Sequence, residues 1–329
     1  QTNETKSRLD HKDINAWKDL TRFTNQCGDV VRTVRNEAQP EMCTGAWAKM
    51  WQLLNQYQLG QAGGGPAVRT VHVCEAPGAF VAATNQYLRQ RHGDALDWQW
   101  RGLTLNPYYE SNDAEAMVDD DVFILGTFRN WCFGRDNTGN IMDVPNVRAL
   151  WRQIAELGPV HLVSGDGSFD CQFDPSEQES IVSMLHYCEA VCALGALAPG
   201  GDLVLKMFTL FEWSSVCLLF LLGCAFEDLW VTKPVCSKSG NSETYLVAKG
   251  FRGMPTSEHL ERLLSFVGPK APCTADGATA CPVPPELMGD VFMAEAVACA
   301  KYFANEGNRV ILRNIDLQEN GKGWIDCVD

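Results

Sequence analysis

Apolar side chains follow a helical period in the first sixty residues and change to strand-like runs afterwards. In "TGAWAKMWQLLNQY", Trp47, Met50, Trp51 and Leu54 fall on one face, so residues 10 to 59 read as helices. "GQAGGGPA" (60 to 67) interrupts the pattern and reads as a linker. Short apolar runs then alternate with helical segments. "TVHVCEA" predicts a strand, "PGAF" a tight turn and "VAATNQYLRQR" a helix. "WQWRGLTL" predicts a second strand that ends at "NPYY", followed by an irregular stretch holding "FGRDNTGNIMDV" and a helix over "VRALWRQIAEL". "PVHLVSGDGSFD" is a third strand, and a long helix is expected from about Pro175 to Ala198, opening on "DPSEQE". "PGGDLVLKMFT" gives a turn and a strand, "EWSSVCLLFLLGCAF" a helix, and "DLWVTKP" and "ETYLVAKGF" two strands joined by the loop "VCSKSGNS".

Strands alternating with helices predict a parallel, doubly wound α/β sheet, and the directly connected last two strands predict an antiparallel one at the end. Three parts follow: a helical extension (1–60), the sheet domain (61–252), and a C-terminal extension (253–329), loop-like over 268–286 and then helical around 286–304. No apolar run reaches the roughly 18 residues a membrane helix needs, and the polar start shows no secretory signal.

Composition changes this picture little. The chain has 329 residues, 46% hydrophobic and 21% charged, as an ordinary globular protein does. Its 14 cysteines include no CxxC pair, and no His and Cys cluster has metal spacing, so no metal is expected. Cys74, Cys188, Cys192, Cys217 and Cys224 sit in apolar runs, where a free thiol acts as a small hydrophobe. Reduced thiols suggest an intracellular protein, nuclear or cytoplasmic. The net charge of −14 by itself argues against nucleic acid. The acid is concentrated in "DAEAMVDDD" (113 to 121), however, and residues 233–252 hold Lys233, Lys238, Lys249 and Arg252 against Glu243 alone. Local fields steer ligands more than totals do.

In such sheets ligands bind beyond the carboxyl ends of the strands. The first strand ends in "CEAPGAF", which lacks the glycine fingerprint of dinucleotide sites. Gly78 allows close backbone approach, Pro77 stiffens the turn, and Glu75 sets a carboxylate at the strand end. An acidic loop suits a ligand with an ammonium, a sulfonium and a ribose better than a pyrophosphate. Lys206 is the other anomaly: a lysine inside the apolar strand "VLKMFT", where an unpaired charge is costly.

"EMCTGAWAK", "CEAPGAF", "TLNPY", "FGRDNTGNIM", "DGSFD", "LHYCE", "LVLKMFT" and "KSGNSETYLV", in that order, resemble the FtsJ-type RNA ribose 2′-O-methyltransferases over about residues 10 to 252. Within that group they are most similar to enzymes acting on the second transcribed nucleotide of capped mRNA. The resemblance implies a Rossmann-like, S-adenosylmethionine-dependent fold, with S-adenosylhomocysteine as product and a capped mRNA 5′ end as partner. It implies a catalytic set of Lys49, Asp166, Lys206 and Glu243. It also implies cofactor contacts at Glu75, Pro77, Gly78, Ala79, Phe80, Asn106, Asp136 and Gly165. Many such sheets carry an acid after the second strand, where this chain has Asn106.

The residue types suit the chemistry. A ribose hydroxyl holds its proton tightly, and a lysine serves as base only if its pKa of about 10.4 is depressed. Burial and a second lysine would lower the pKa of Lys206; Asp166 and Glu243 would raise it, and the sequence leaves the balance open. Lys206 acts either as base or as an aid that orients the hydroxyl. Plainer roles exist for each residue: Lys206 paired structurally with Asp166, Lys49 on a solvated helix face, Asp166 as a turn former, Glu243 as an edge charge. His72, His161 and His186 read as core side chains, while Tyr108 and Tyr109 lie where a ligand would touch them. Enzymes acting on the first cap nucleotide or on ribosomal RNA, and an inactive RNA-binding module, are the alternatives.

Overall fold

The computed structural model describes residues 2–9, 11–25, 27–61, 63–113, 117–169, 171, 177–268 and 283–320. The end of "DGSFD", the opening "DPS" of the long helix, part of the acidic cluster and most of the loop over 268–286 lie outside the described residues.

Four helices precede the sheet: α1 (Thr2–Ser7), α2 (Ile14–Phe23), α3 (Cys27–Ala38) and α4 (Gly45–Tyr57). Thr44 caps α4, its hydroxyl accepting from the Trp47 amide. The sheet is built from β1 (Ala67–Val73), β2 (Asp97–Leu103), β3 (Trp131–Cys132), β4 (Val160–Gly165), β5 (Leu197–Met207), β6 (Phe226–Thr232) and β7 (Thr244–Phe251). The order across it is β3-β2-β1-β4-β5-β7-β6, and β7 runs antiparallel to both neighbours. The predicted parallel sheet with an antiparallel last strand is therefore the observed one.

Between the strands lie α5 (Ala79–His92), α6 (Val122–Gly126), α7 (Val144–Ile154), α8 (Gln178–Ala196) and α9 (Trp213–Ala225). Alternation along the strands divides the core. Val71, Val73, Leu203 and Leu205 pack with α7, α8 and α9. Leu162, Val204, Tyr245 and Val247 pack with α4 and α5 on the other face. Lys206 alternates with Leu205 and so lies on the α4 side.

Three elements depart from the expected layout. The stretch read as irregular contains β3, whose two residues are too few to show a period. Residues 253–329 contain α10 (Ser257–Leu264), capped by Thr256, and α11 (Asp290–Asn320), which runs well past the expected end. α11 packs against α1 and α2, and Lys12 pairs with Glu319 at 2.6 Å. Cys74, Cys188, Cys192 and Cys224 are free thiols as expected. Cys217 is disulfide-bonded instead; apolar surroundings suit a disulfide as well as a thiol, so hydrophobicity alone does not separate the two.

Candidate active site

Strand register places the charged residues in one row. Val73 is beside Gly165, Gly165 beside Leu205, and Lys206 beside Tyr245. One step past β4, Asp166 therefore meets Lys206, with the Tyr245 hydroxyl next in line. Lys206 Nζ donates to the Asp166 carbonyl at 2.8 Å and pairs with its Oδ1 at 3.2 Å. Tyr245 donates its hydroxyl to the same Oδ1 at 3.0 Å. Because β7 is antiparallel, Glu243, just before it, arrives at the same edge of the sheet. Lys49 reaches over from α4 and lies 2.8 and 2.9 Å from the two Glu243 oxygens. Its ammonium stands 5.7 Å from the centre of the Tyr245 ring.

Both pairs are largely buried, with side-chain exposures of 14% for Lys49 and Glu243 and 11% and 20% for Lys206 and Asp166. Burial works to lower the Lys206 pKa, but the charges of Asp166 and Glu243, the Asp166 hydrogen bond and the Glu189 charge outweigh it, and Lys206 is held above the ordinary lysine value. The balance left open by the sequence thus falls toward a protonated amine. Glu243 is shifted down: burial opposes this, and Lys49, with a hydrogen bond from Ser237, prevails. The Ser237 hydroxyl donates to Glu243 Oε1 at 2.7 Å.

Two neighbours were not among the expected site residues, although Lys233 belongs to the basic stretch and Glu189 ends the motif "LHYCE". Lys233 donates to the Glu243 carbonyl at 2.7 Å and to Asn241, fastening the loop before β7. Burial lowers its pKa to about 8. Glu189, a mid-helix residue of α8, is fully buried and accepts from the Gly167 amide at 2.9 Å. A Cβ on Gly165 or Gly167 would stand 2.9 or 2.7 Å from its Oε1, so both glycines are required by close approach. The visible clue is an acid in the apolar helix "YCEAVCALG".

Burial pushes Glu189 from 4.5 up to about 8. The folded chain keeps a proton there that the unfolded chain releases, so Glu189 lowers stability progressively between pH 4.5 and about 8. Glu189→Gln keeps an acceptor for Gly167 without that linkage. Thermal melts should show it more stable than the parent, by a margin that widens up to about pH 8 and is constant above. A margin independent of pH would contradict the assignment.

The residues expected at the cofactor lie around the carboxyl ends of β1, β2, β3 and β4. Glu75 is buried and turns inward: its Oε1 accepts from the Phe80 and Val81 amides at 2.7 and 3.3 Å, capping α5. Its Oε2 has no hydrogen-bond partner among the described residues. Burial, with the Asp166 charge, raises Glu75 well above the usual carboxylate range. Pro77 precedes Gly78, which has φ of 121° and begins the turn into α5. The Ala79 and Phe80 side chains are core, the Phe80 ring against Tyr245. Asn106 donates to the Asn137 carbonyl and accepts from the Tyr108 amide. Asp136 Oδ1 accepts from the Thr138 amide and hydroxyl. Asn106 and Asp136 thereby fix the loops after β2 and β3, while Gly78 and Gly165 follow β1 and end β4, between which the strand order reverses.

Tyr108 is exposed and donates to Asp121. His72 and His186 are buried, each pushed down to about 3 by burial, as core histidines.

The FtsJ-like methyltransferase family model matches residues 44–251. Cap-specific mRNA (nucleoside-2'-O-)-methyltransferase 2 of Danio rerio is 41% identical over 318 residues, covering 96% of this chain and 42% of that protein. The Drosophila melanogaster protein of the same name is 39% identical over 312 residues, with 92% and 43% covered. The chain thus spans about two fifths of the length of these curated relatives.

Proposed function

The chain belongs to the FtsJ-like methyltransferase family, and from that premise we propose that it methylates a ribose 2′-hydroxyl of capped mRNA at the second transcribed nucleotide. The observation that carries this reading is the convergence of Lys49, Asp166, Lys206 and Glu243, four residues scattered over nearly 200 positions, into two adjoining buried ion pairs. The identity to relatives named for cap-specific methylation supports the substrate.

S-adenosylmethionine would supply the methyl group from its sulfonium. The crevice between the carboxyl ends of β1 and β4 suits it: Gly78 offers backbone without a side chain, and the orphaned Glu75 Oε2, on a carboxyl that burial keeps protonated, leaves a polar group beneath the loop. Asn106, Asp136 and Gly165 line the same edge. A protonated Lys206 does not abstract a proton. It donates to the hydroxyl oxygen and fixes its direction of attack, while Asp166, itself fastened by the Tyr245 hydroxyl, holds the ammonium in place. The hydroxyl proton becomes acidic as the new C–O bond forms and leaves to water at the open side of the pair. Lys49 and Glu243 fix the far side of the site.

Gly78→Val tests the cofactor loop. At φ of 121° any side chain is strained, and its Cβ would stand 2.3 Å from the Phe123 ring. Affinity for S-adenosylmethionine in calorimetry should fall at least about tenfold, within the ~1–3 kcal/mol such a backbone costs. Unchanged affinity would take Gly78 out of the site.

The substrate is tested with short capped RNAs that either carry or lack a methyl at the first ribose, with the product position mapped. Transfer to the second ribose is expected. Transfer only to the first ribose, or to uncapped RNA equally well, would overturn the assignment.

A further inference from the structure

Beyond the ion pairs, the carboxyl edge of the sheet opens into a cleft whose opposite wall is the middle of α11. Its floor is apolar: Phe208 and Leu210 from the end of β5, facing Phe303 of α11. Its rim is polar: Ser239, Asn241 and Ser242 from the loop before β7. We propose that this cleft binds a nucleobase of the RNA strand next to the target ribose. The proposal rests on the function argued above and adds a subsite to it.

Three observations carry it. The first is continuity with the catalytic residues. Phe208 is two residues past Lys206, Thr244 in the cleft wall follows Glu243, and the Thr244 hydroxyl donates to the Phe208 carbonyl at 3.0 Å. A strand with its ribose at Lys206 has its next base within reach of this wall.

The second is chemistry. An apolar floor with hydroxyl and amide groups on one rim matches a nucleobase, which has flat faces and a hydrogen-bonding edge. Phe211, 49% exposed at the mouth, offers a stacking surface. Its wall is held firmly, since Glu179 accepts from the Phe211 and Glu212 amides at 2.9 to 3.0 Å. Lys238 is exposed on the same loop and suited to phosphate, while Lys233 braces the wall through its bonds to Asn241 and the Glu243 carbonyl. Glu306, the acid in the lining, is paired with Arg309 at 2.7 Å.

The third is the distribution of the wall among relatives. The family model ends at residue 251, before α11 begins. The similarity to the Danio rerio cap-specific relative covers 96% of the chain and so takes in Phe303 to Gly307. The far wall therefore lies outside the part the family model describes and inside the part shared with this cap-specific relative.

The test joins crosslinking to kinetics. Capped RNA with 4-thiouridine directly 3′ of the target nucleotide is irradiated with the wild-type chain, and the adducts are mapped. Adducts within 208–211 or 303–307 are expected; adducts confined elsewhere overturn the proposal. Ala304→Trp, which fills the cleft from α11, should raise the KM for capped RNA about tenfold, the range of one lost base stack. Its affinity for S-adenosylmethionine should stay within about twofold of wild type, because the cleft is apart from the cofactor loops. Phe211→Ala, at an exposed position that cannot unfold the core, should raise the same KM; an unchanged KM in both variants overturns the subsite. If the wild-type chain methylates no capped RNA, the function itself falls, and the crosslink still decides whether the cleft holds RNA.

Discussion

Lys206→Met will lower kcat for methyl transfer about 100- to 1,000-fold, the cost of removing one preorganised donor from a reacting oxygen. Methionine keeps most of the buried stem and removes the charge. Asp166 retains the Tyr245 hydroxyl at 3.0 Å, so the loop it stands on stays fastened. Affinity for S-adenosylmethionine should stay within about twofold of wild type in calorimetry, since the contacts proposed for it lie at the ends of β1 to β4 and not on β5. A variant with kcat within about tenfold of wild type would remove Lys206 from the chemistry. The direction of the Lys206 shift sets the pH behaviour. Its pKa is raised in the folded chain, so the stabilising pairing with Asp166 is complete below the ordinary lysine value and is lost only as pH climbs through the raised one. The wild-type rate should then show no decline from Lys206 between neutral pH and about 10.

The residues of this centre were legible separately, and their relations less so. Each of the four charged residues stands in a short motif that marks a strand end or a helix face. The sheet topology followed from alternating strands and helices, including the reversed β7, because two strands with only a loop between them cannot be parallel neighbours. The pKa of Lys206 was not legible. It is decided by a contest between burial and three carboxylates, and one of them, Glu189, comes from a helix whose apolar pattern gives no reason to aim an acid at the site. Tyr245 was read only as strand, yet the register that pairs it with Lys206 places its hydroxyl on Asp166. Glu75 shows how one spelling carries two meanings: a carboxylate at a strand end suits a ligand, and five residues before Phe80 it also suits the free amides of a helix start, where the fold uses it. The cleft against α11 joins segments about ninety residues apart, with no local signal in either.

Asp166→Asn separates the two roles open to Lys206, because they predict opposite slopes. Asparagine keeps the carbonyl that accepts from Nζ at 2.8 Å but removes the charge that, after burial, has the largest influence on the lysine. Burial is then opposed only by Glu243 and Glu189, and the Lys206 pKa falls. If neutral Lys206 were the base, the variant would hold more of the active form at neutral pH, and its rate would rise with pH. With Lys206 acting as a cationic donor, the outcome reverses. The rate at neutral pH should drop about 100-fold or more, as for loss of a charged orienting group. It should be higher at lower pH, where the amine keeps its proton, and fall as pH rises through the lowered pKa. Glu243, held below its usual value by Lys49, stays ionised through most of that range and does not mask the effect. Single-turnover rates with saturating capped RNA, measured across mildly acidic to mildly alkaline pH, decide the matter. A rate that increases with pH in Asp166→Asn would make Lys206 the base and overturn the donor role argued from its raised pKa.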